Sequence, residues 1–450
     1  MTSRSTNYSF VSRYIRHVNA SNVLIFFTVL ALICANVPIL KEWYFNLWQQ
    51  KIFFSVGNFN FFSHGRNTMN LGDFVNDFLM AIFFLSVGLE IKREIKVGEL
   101  SSLNKAMLPV IGALGGMLIP VLVFWLVCPD NELMRRGLAI PMATDIAFSL
   151  GVLTIFSKRV PLGLKVFLAA LAVVDDLGGI VIIAVFYSSH IEAMYIILSC
   201  ICTAVMIMAN FFGIRSKYFY VCAGVVLWYL MLNSGIHATI AGVIVAFCVP
   251  ATLAEGSKGY LNAIRNLISR FKAADLDERG KIFVWSNNEI HMLKKIESAT
   301  DKLISPLQDL EDNLHFLINY IVIPLFAFAN AGICFSGMSI GSIFSGVGLA
   351  VMMGLVVGKF VGVFTFSWLA VRTKIVKLPT NTTWKSFAGV CMLCGIGFTV
   401  SMFIADLSYS VEGLDCAAIL DQAKLGILLG SVIAAVAGSL MLRKYLPAAE

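Results

Sequence analysis

The sequence predicts an all-α, polytopic membrane protein. Of its 450 residues, 58% are hydrophobic and 14% are charged, whereas about 25% of residues are charged in an average soluble domain. Apolar runs of about 20 residues, the length of helix that crosses a bilayer, recur along the chain. Two of these runs carry helix-breaking residues near their centres. We therefore expect one integral helical bundle in which two helices are unwound.

The apolar runs predict twelve transmembrane helices. The predicted spans are residues 22–40, 73–91, 107–127, 136–156, 162–187, 191–212, 218–233, 235–252, 314–335, 343–371, 386–406 and 422–442. Spans one to eight occupy residues 22–252 and spans nine to twelve occupy residues 314–442, with polar tails at 1–21 and 443–450.

Two connecting segments have a character of their own. Residues 49–70, between spans one and two, are aromatic and β-prone around Gly57-Asn58, which predicts a β-hairpin. Residues 253–313 form the one long polar stretch, and its amphipathic spacing from Tyr260 to Phe271 predicts a helix on the membrane surface.

The distribution of basic residues predicts the orientation. Lysines and arginines concentrate in every second connecting segment, including both tails and the 253–313 loop, and the positive-inside rule makes those segments cytoplasmic. Both termini are then cytoplasmic, the 49–70 hairpin is periplasmic and the location is a bacterial inner membrane. This distribution also explains the net charge of +7 without a nucleic-acid partner.

The ten cysteines predict neither a disulfide framework nor a cofactor. Most lie within apolar spans, where buried thiols are expected. Cys391 and Cys394 have the spacing of metal ligands, but no second ligand pair accompanies them.

Asp175 and Asp176 stand side by side in the middle of span five. Each ionised carboxylate at a helix centre costs roughly 3 kcal/mol on insertion scales. Because adjacent helical residues point in different directions, one aspartate can face a cavity while the other faces a neighbouring helix. Carboxylate oxygen binds protons and hard cations such as Na⁺ and Li⁺, so the pair predicts a proton or cation site.

Spans four and eleven are predicted to be broken. Residues 139–145 of span four contain Pro141, and residues 394–399 of span eleven contain two glycines and Thr399, whose hydroxyl can satisfy a freed carbonyl. Because spans four and eleven run in opposite directions, we predict an inverted repeat, with spans three to five against ten to twelve and the two breaks crossing. Asp145 has the sign to balance the paired helix N-termini, and Lys359 in span ten has the sign to balance the C-termini and to pair with one aspartate.

Five segments around these residues resemble the NhaA family of sodium/proton antiporters. They are Ala143-Thr-Asp-Ile-Ala-Phe148, Val173-Val-Asp-Asp-Leu-Gly178, Ser234-Gly-Ile-His-Ala-Thr239, Pro324-Leu-Phe-Ala-Phe-Ala-Asn-Ala-Gly332 and Leu393-Cys-Gly-Ile-Gly-Phe-Thr-Val-Ser401. The resemblance extends from about residue 20 to 443 and is interrupted by the longer 253–305 loop.

The resemblance implies roles for individual residues. Asp176 is the direct ligand of Na⁺ or Li⁺, and Asp175 shares the ion and proton site and pairs with Lys359. Thr144 and Asp145 form the span-four side of the site, with Thr399 opposite. Asp77 matches an acid on the periplasmic pathway.

A further set of residues matches positions associated with pH activation at the cytoplasmic face. These are Glu90, Arg93, Glu94, His237 and Glu311. Without the resemblance, Glu90, Arg93 and Glu94 would be an ordinary ion-pair cluster at a helix end, and His237 would be a histidine packed in the core. Two departures from the family pattern are Phe360, where proline is common, and Asp312, where histidine is common.

The sequence therefore predicts an electrogenic, pH-regulated Na⁺(Li⁺)/H⁺ antiporter that works by alternating access and is not an enzyme. The resemblance also implies a homodimer joined through the 49–70 hairpin, surrounded by membrane lipid. An intramembrane aspartyl protease would need an aspartate after Gly-x-Gly, but Phe398 follows Gly397. A cation channel or a carrier of another solute stays open, while a membrane scaffold leaves the aspartate pair and Lys359 unexplained.

Overall fold

The computed structural model describes residues 20–53, 55–56, 59–60, 62–64, 67–156, 159–186, 192–252, 257–270, 287–335, 345–409 and 416–446. Helices dominate them, as predicted for a polytopic membrane protein. The first part of the chain contains α1 (Ala20–Asn36), α2 (Pro38–Gln49), α3 (Leu71–Lys96), α4 (Leu103–Val127), α5 (Glu132–Met142), α6 (Ile146–Ile155), α7 (Leu162–Phe186), α8 (Ala193–Phe211), α9 (Lys217–Leu232) and α10 (Ile240–Cys248). The second part contains α11 (Ser257–Arg270), α12 (Asn287–Asp301), α13 (Pro306–Asn330), α14 (Gly346–Arg372), α15 (Trp384–Leu393), α16 (Phe398–Tyr409) and α17 (Ala417–Tyr445).

Within the described ranges, seven helices are long and apolar enough to cross a membrane, and ten spans result if each bent helix pair counts as one. The bent pairs are α1 with α2 (110°), α5 with α6 (45°) and α15 with α16 (43°). The last two are the predicted broken spans four and eleven. The first is a turn that was not predicted, because Val37 is extended and Pro38 starts a new helix.

Predicted spans seven and eight correspond to helices that are shorter than a full crossing. α9 has 16 residues and α10 has 9. The helix in span eight begins at Ile240 rather than at 235, because Gly235 has a φ of 81° and the chain turns there. A turn of this hand suits glycine, which has no Cβ to clash.

The 49–70 segment contains two antiparallel pairs of two-residue strands among its described residues. β1 (Ser55–Val56) pairs with β2 (Phe59–Asn60), and β3 (Ser63–His64) pairs with β4 (Asn67–Thr68). An isolated bridge between Lys51 and Asn70 joins the two ends of the segment. Residues 57–58, at the predicted turn, lie outside the described residues, as do both tail ends and part of the 253–313 loop.

The helices pack in two groups. In the first, called the break group, α4 packs on α7 and α14, while α17 packs on α14, α15 and α16. In the second, called the flanking group, α3 packs on α10 and α13, α1 packs on α13, and α8 to α10 pack in order. The groups meet where α3 contacts α7 and where α13 contacts α16.

Close packing inside the break group depends on small residues. A Cβ at Gly362 of α14 would lie 2.2 Å from the carbonyl oxygen of Gly115 of α4, and a Cβ at Gly115 would lie 2.3 Å from that of Gly362. The backbones of α4 and α14 can approach this closely because neither position carries a Cβ.

Among the described helices, three contain π-turns, which widen a helix by one residue and are frequent at functional sites. They lie at Val75–Leu79 in α3, Ile318–Val322 in α13 and Gly354–Gly358 in α14. Asp77 lies within the first, and Lys359 directly follows the third. Two residues that the sequence analysis singled out thus stand at irregular points of their helices.

Candidate functional site

The two helix breaks contact each other directly. Arg136–Met142 is a tight 3₁₀ helix that contains Pro141, since proline cannot donate the α-helical hydrogen bond. The chain then runs extended to Asp145, whose backbone nitrogen donates to the carbonyl of Ile396, 2.7 Å away, in the other break. Ser401 Oγ donates to the carbonyl of Ile140 at 2.8 Å. Backbone groups freed by one break are therefore satisfied by the other, as burial requires.

Asp145 links the N-terminal ends of two half-helices. It caps α6 by accepting a hydrogen bond from the backbone of Phe148 at 2.9 Å. Its other oxygen accepts from the backbone nitrogen of Thr399 at 3.1 Å and from Thr399 Oγ1 at 2.6 Å, at the start of α16. A carboxylate here compensates the partial positive charge of both helix ends.

Asp175 is the acceptor of a buried ion pair. Its Oδ2 accepts from Lys359 Nζ and from Thr144 Oγ1, the latter at 2.7 Å. Thr144 Oγ1 also lies 3.0 Å from the carbonyl oxygen of Cys394, at the C-terminal end of α15. Lys359 has no solvent exposure, so its charge is held by this carboxylate. The second oxygen of Asp175 has no hydrogen-bond partner among the described residues.

Asp176 differs from Asp175 because its carboxylate receives no hydrogen bond from the described residues. Its side chain is 2% exposed, and within the described part of the chain neither carboxylate oxygen has a hydrogen-bond partner. An unpaired buried carboxylate is strongly unfavourable. Asp175, Asp145 and Glu90 lie close enough to add like charge to its surroundings. Asp176 therefore needs a proton or a cation as its partner.

Spans four, five, ten and eleven thus bring together all six residues assigned to the ion site. They are Thr144, Asp145, Asp175, Asp176, Lys359 and Thr399. Among the described residues, no cluster of three or more histidine, cysteine or acidic side chains is arranged around a metal position. In the described part of the chain, the carboxylate oxygens of this cluster that lack a hydrogen-bond partner are both of Asp176 and one of Asp175.

The residues expected to sense pH are divided between two places. Arg93 of α3 pairs with Glu311 of α13 at 2.5 Å and with Glu94 at 3.3 Å, and Glu90 lies one turn away along the same helix. His237 does not join them. It lies before the start of α10, whereas α3 contacts the far end of α10 through Lys92. The nine residues of α10 separate the two places by about 13 Å.

His237 thus lies at the opposite end of α10 from Arg93 and Glu311, so the structure does not bring it together with the other residues expected to sense pH. The resemblance indicated His237 but not its position along the helix. The turn at Gly235 places His237 at the same end of the bundle as the start of α8, because the backbone nitrogen of Glu192 donates to the carbonyl of Ser234 at 3.0 Å.

Asp77 lies away from the ion site, in the π-turn of α3, and next to it lies a polar network that the sequence analysis missed. Asn330 Nδ2 donates to Asn76 Oδ1, and Asn76 Nδ2 donates to Asp406 Oδ2, both at 2.7 Å. Lys424 Nζ lies 3.0 Å from Asp406 Oδ1. We call Asn76, Asn330, Asp406 and Lys424 the polar network. The signal was in the sequence: Asp406 and Lys424 are opposite charges within predicted spans eleven and twelve.

Lys92 is a second residue that was missed, because it was counted with the cytoplasmic basic residues. It is 9% exposed and donates to the carbonyl of Phe247 at 2.7 Å and to those of Ala246 and Val249. These carbonyls end α10, so Lys92 caps this short helix and satisfies acceptors that it would leave free.

Comparison with known proteins identifies the family of the chain. The sequence profile of a family described as "Na+/H+ antiporter 1" matches residues 13–442. A protein named Na(+)/H(+) antiporter NhaA from Phocaeicola vulgatus is 48% identical over 445 residues, which are 98% of this chain and 97% of the relative.

Two further proteins of the same name show the range of similarity. One from Bacteroides thetaiotaomicron is 48% identical over 96% of each chain. One from Tolumonas auensis is 41% identical over 96% of this chain and 94% of its own. With a family match over nearly its whole length and relatives at these identities, the chain is a member of the NhaA family of sodium/proton antiporters.

Proposed function

We propose that this protein is an electrogenic antiporter that exchanges Na⁺ or Li⁺ for protons by alternating access. The observation that carries the proposal is the buried carboxylate of Asp176, which has no hydrogen-bond partner among the described residues. A group in this state binds either a proton or a hard cation, and the two compete for the same oxygens. Competition at one site is the simplest physical basis of antiport.

The ion pair beside Asp176 supplies the second proton. When a cation binds between Asp176 and the free oxygen of Asp175, it adds positive charge next to Lys359, and the Lys359–Asp175 contact is weakened. Because Asp175 is already ionised in this pair, the proton leaves from Lys359. Two protons then move for each monovalent cation, so one net charge crosses the membrane in each cycle.

The contacts at the breaks support a role in positioning. Asp145 joins α6 to α16 through its hydrogen bonds to Phe148 and Thr399, and Thr144 joins Asp175 to the end of α15. The half-helices are thereby tied to the carboxylates that bind the ion. A cation that changes the contacts of Asp175 changes the position of the breaks, which couples binding to access.

We propose twelve membrane crossings, with α9 and α10 as the two short ones and with both termini in the cytoplasm of a bacterium whose inner membrane holds the protein. The basic residues of alternate connecting segments support this orientation. Asp77 then lies on the periplasmic pathway, near the outer end of α3. The 49–70 segment is periplasmic and joins two copies into a homodimer by pairing of its strands.

Regulation by pH is assigned to the cytoplasmic end of α3. The Arg93–Glu311 contact joins α3 to α13, and Glu90 lies between this contact and Asp176. Protonation of Glu311 removes the charge that Arg93 pairs with, so the two helices are held less firmly at acid pH. His237, at the other end of α10, acts on the periplasmic side.

The test is proton movement in everted membrane vesicles that hold a pH gradient. We expect Na⁺ and Li⁺ to dissipate the gradient in the wild type, and Asp176→Asn to abolish this response. Asp130→Asn is the matched control, since this aspartate lies in an exposed ion pair with Arg135. A wild type that moves no protons on addition of either cation would contradict antiport.

Electrogenicity has its own test in liposomes that contain the purified protein. A membrane voltage imposed with potassium and valinomycin should drive Na⁺ exchange at equal pH on both sides. An exchange rate that is the same with and without the voltage would leave antiport intact and overturn the two-proton proposal.

A further inference from the structure

The polar network next to Asp77 joins the two helix groups. Asn76 lies in α3 and Asn330 at the end of α13, both in the flanking group, while Asp406 lies in α16 and Lys424 in α17, both in the break group. The hydrogen bond from Asn76 to Asp406, at 2.7 Å, crosses between the groups. The Asn330–Asn76 and Lys424–Asp406 contacts stay within one group each.

Asp406 is held on both oxygens. Oδ1 faces Lys424, 3.0 Å away, and Oδ2 accepts from Asn76. The side chains of Asp406 and Lys424 are each 11% exposed, so the charge of the carboxylate is compensated by Lys424 rather than by water. Hydrogen bonds to a charged acceptor are stronger than those between two neutral groups. The hydrogen bond from Asn76 to the carboxylate of Asp406 is of this stronger kind.

The network lies in line with the ion site. Thr399, Phe403 and Asp406 follow each other at helical spacings of four and three residues along α16, so they share one face. Phe403 contacts Phe84 of α3, with ring centroids 5.8 Å apart, and Phe403 also lies 6.3 Å from Phe326 of α13. The boundary from the ion site to the network is therefore closed first by aromatic rings and then by the Asn76–Asp406 hydrogen bond.

We propose that Asp406 is a positioning residue that fastens the outer half of the second broken span to α3 and so closes the periplasmic side in this conformation. The role rests on the proposed function, because alternating access requires this side to open once per cycle. Opening separates Asn76 from Asp406, while Lys424 stays with the carboxylate and compensates it. The ion pair inside the break group therefore allows the hydrogen bond between the groups to be made and broken repeatedly.

The experiment measures access from the periplasmic side at Met80. This residue is 3% exposed and lies in α3 about one turn from Asn76, on the way to Phe84. Met80→Cys is introduced into a full-length chain whose ten native cysteines are replaced. Its reaction rate with a membrane-impermeant thiol reagent is then measured in whole cells.

Loss of the contact should expose the reporter. We expect Asn76→Ala and Asp406→Ala each to raise the labelling rate about 10-fold, as the loss of one charge-assisted hydrogen bond implies. The double variant should be no faster than either single variant, since both remove the same contact. Asp130→Asn, which breaks an exposed ion pair with Arg135 at the end of the bundle where Tyr409 of α16 donates to the carbonyl of Met134, should leave the rate unchanged.

Two outcomes would overturn the proposal. One is a reporter that reacts at the wild-type rate in both Asn76→Ala and Asp406→Ala. The other is an equal rise in Asp130→Asn, which would indicate general loosening. If Asp406→Ala does not fold, Asn76→Ala still decides, because it leaves the Asp406–Lys424 pair in place.

The labelling readout is independent of transport. A wild type without Na⁺-evoked proton movement would contradict the proposed function, while a reporter that responds to Asn76→Ala would still support the fastening role. In an active protein, the same variant should also change the apparent KM for Na⁺ more than the maximal rate, because it alters the balance between conformations rather than the ion site.

Discussion

Asp145 and Asp176 are two carboxylates in the same region of the protein with the same 2% exposure, yet their surroundings are opposite. Asp145 accepts hydrogen bonds from the backbone of Phe148 and from both donors of Thr399. Asp176 accepts none from the described residues. A carboxylate that is fully satisfied holds its neighbours in place, whereas an unsatisfied one is free to exchange its ligand. The difference separates Asp145, which holds the two breaks together, from Asp176, which is proposed to exchange a proton for a cation.

The largest effect is expected when the exchanging carboxylate is neutralised. Asp176→Asn should lower Na⁺-evoked proton movement by about 100-fold or more, because the amide neither releases a proton nor supplies a charged cation ligand. Its free energy of unfolding should change by less than about 1 kcal/mol, since no hydrogen bond is lost. Vesicle transport and thermal unfolding in detergent measure the two effects. A strongly destabilised Asp176→Asn would mean that this aspartate, like Asp145, holds the two breaks together.

The reverse pattern is expected at Asp145. Asp145→Ala leaves the N-terminal ends of α6 and α16 without their shared acceptor and should lower the free energy of unfolding by about 3 kcal/mol. Na⁺-evoked proton movement should fall because less protein is folded and because the ion site of the folded protein is distorted. Asp145→Asn, which keeps an acceptor oxygen, should recover part of the stability. If Asp145→Ala unfolds at the wild-type temperature, the contrast with Asp176 is wrong.

A smaller effect is expected for the partner of Asp145. Thr399→Val keeps the shape of the side chain and removes the 2.6 Å hydrogen bond, which should cost about 2 kcal/mol because the acceptor is charged. The backbone hydrogen bond from residue 399 stays. The check is the thermal unfolding of Thr399→Val, with Thr365→Val as the control. Among the contacts described, the hydroxyl of Thr365 donates only to carbonyls of its own helix, so the control removes no contact between helices.

The smallest effect is expected at Thr144, which contacts the ion pair and not Asp176. Thr144→Val removes one donor to Asp175, so Asp175 should hold Lys359 more tightly and respond less readily to a cation. The apparent KM for Na⁺ should rise by about 5-fold, the equivalent of one hydrogen bond. A lower KM would indicate that Thr144 competes with the cation for Asp175.

Much of the ion site could be predicted because its charged residues raise the free energy of inserting a helix into a membrane, so such residues are rare in apolar spans. An aspartate pair, a lysine and a proline inside apolar runs are few enough to stand out, and helix-end charges predicted which sign each break needs. The contact of Asp145 with the second break follows from this electrostatics. The resemblance then supplied the division of roles within the pair, which periodicity alone left open.

The other features of the site could not be predicted, because the pattern of apolar spans does not show how far along a helix a residue lies or which residues of other helices it contacts. His237 is separated from the other residues expected to sense pH because it precedes α10, whereas Lys92, the neighbour of Arg93, contacts the carbonyls at the end of this helix. Asp406 was overlooked because its partner Asn76 comes from distant span two, and the span pattern does not show that Lys424 of the next span faces it. Lys92 was counted as an exposed end of a helix, although three carbonyls of α10 surround it.

The aromatic contact between Phe84 and Phe403 has a consequence for the membrane voltage. Thr399 and Asp406 are seven residues apart on α16, so the apolar layer between the ion site and the polar network is about 10 Å thick. An intact hydrocarbon core is about 30 Å thick. The electric field concentrates across such a layer when water reaches the polar groups on both of its sides. An ion that crosses this short distance then experiences a large share of the full potential, about 2.3 kcal/mol per charge for each 100 mV.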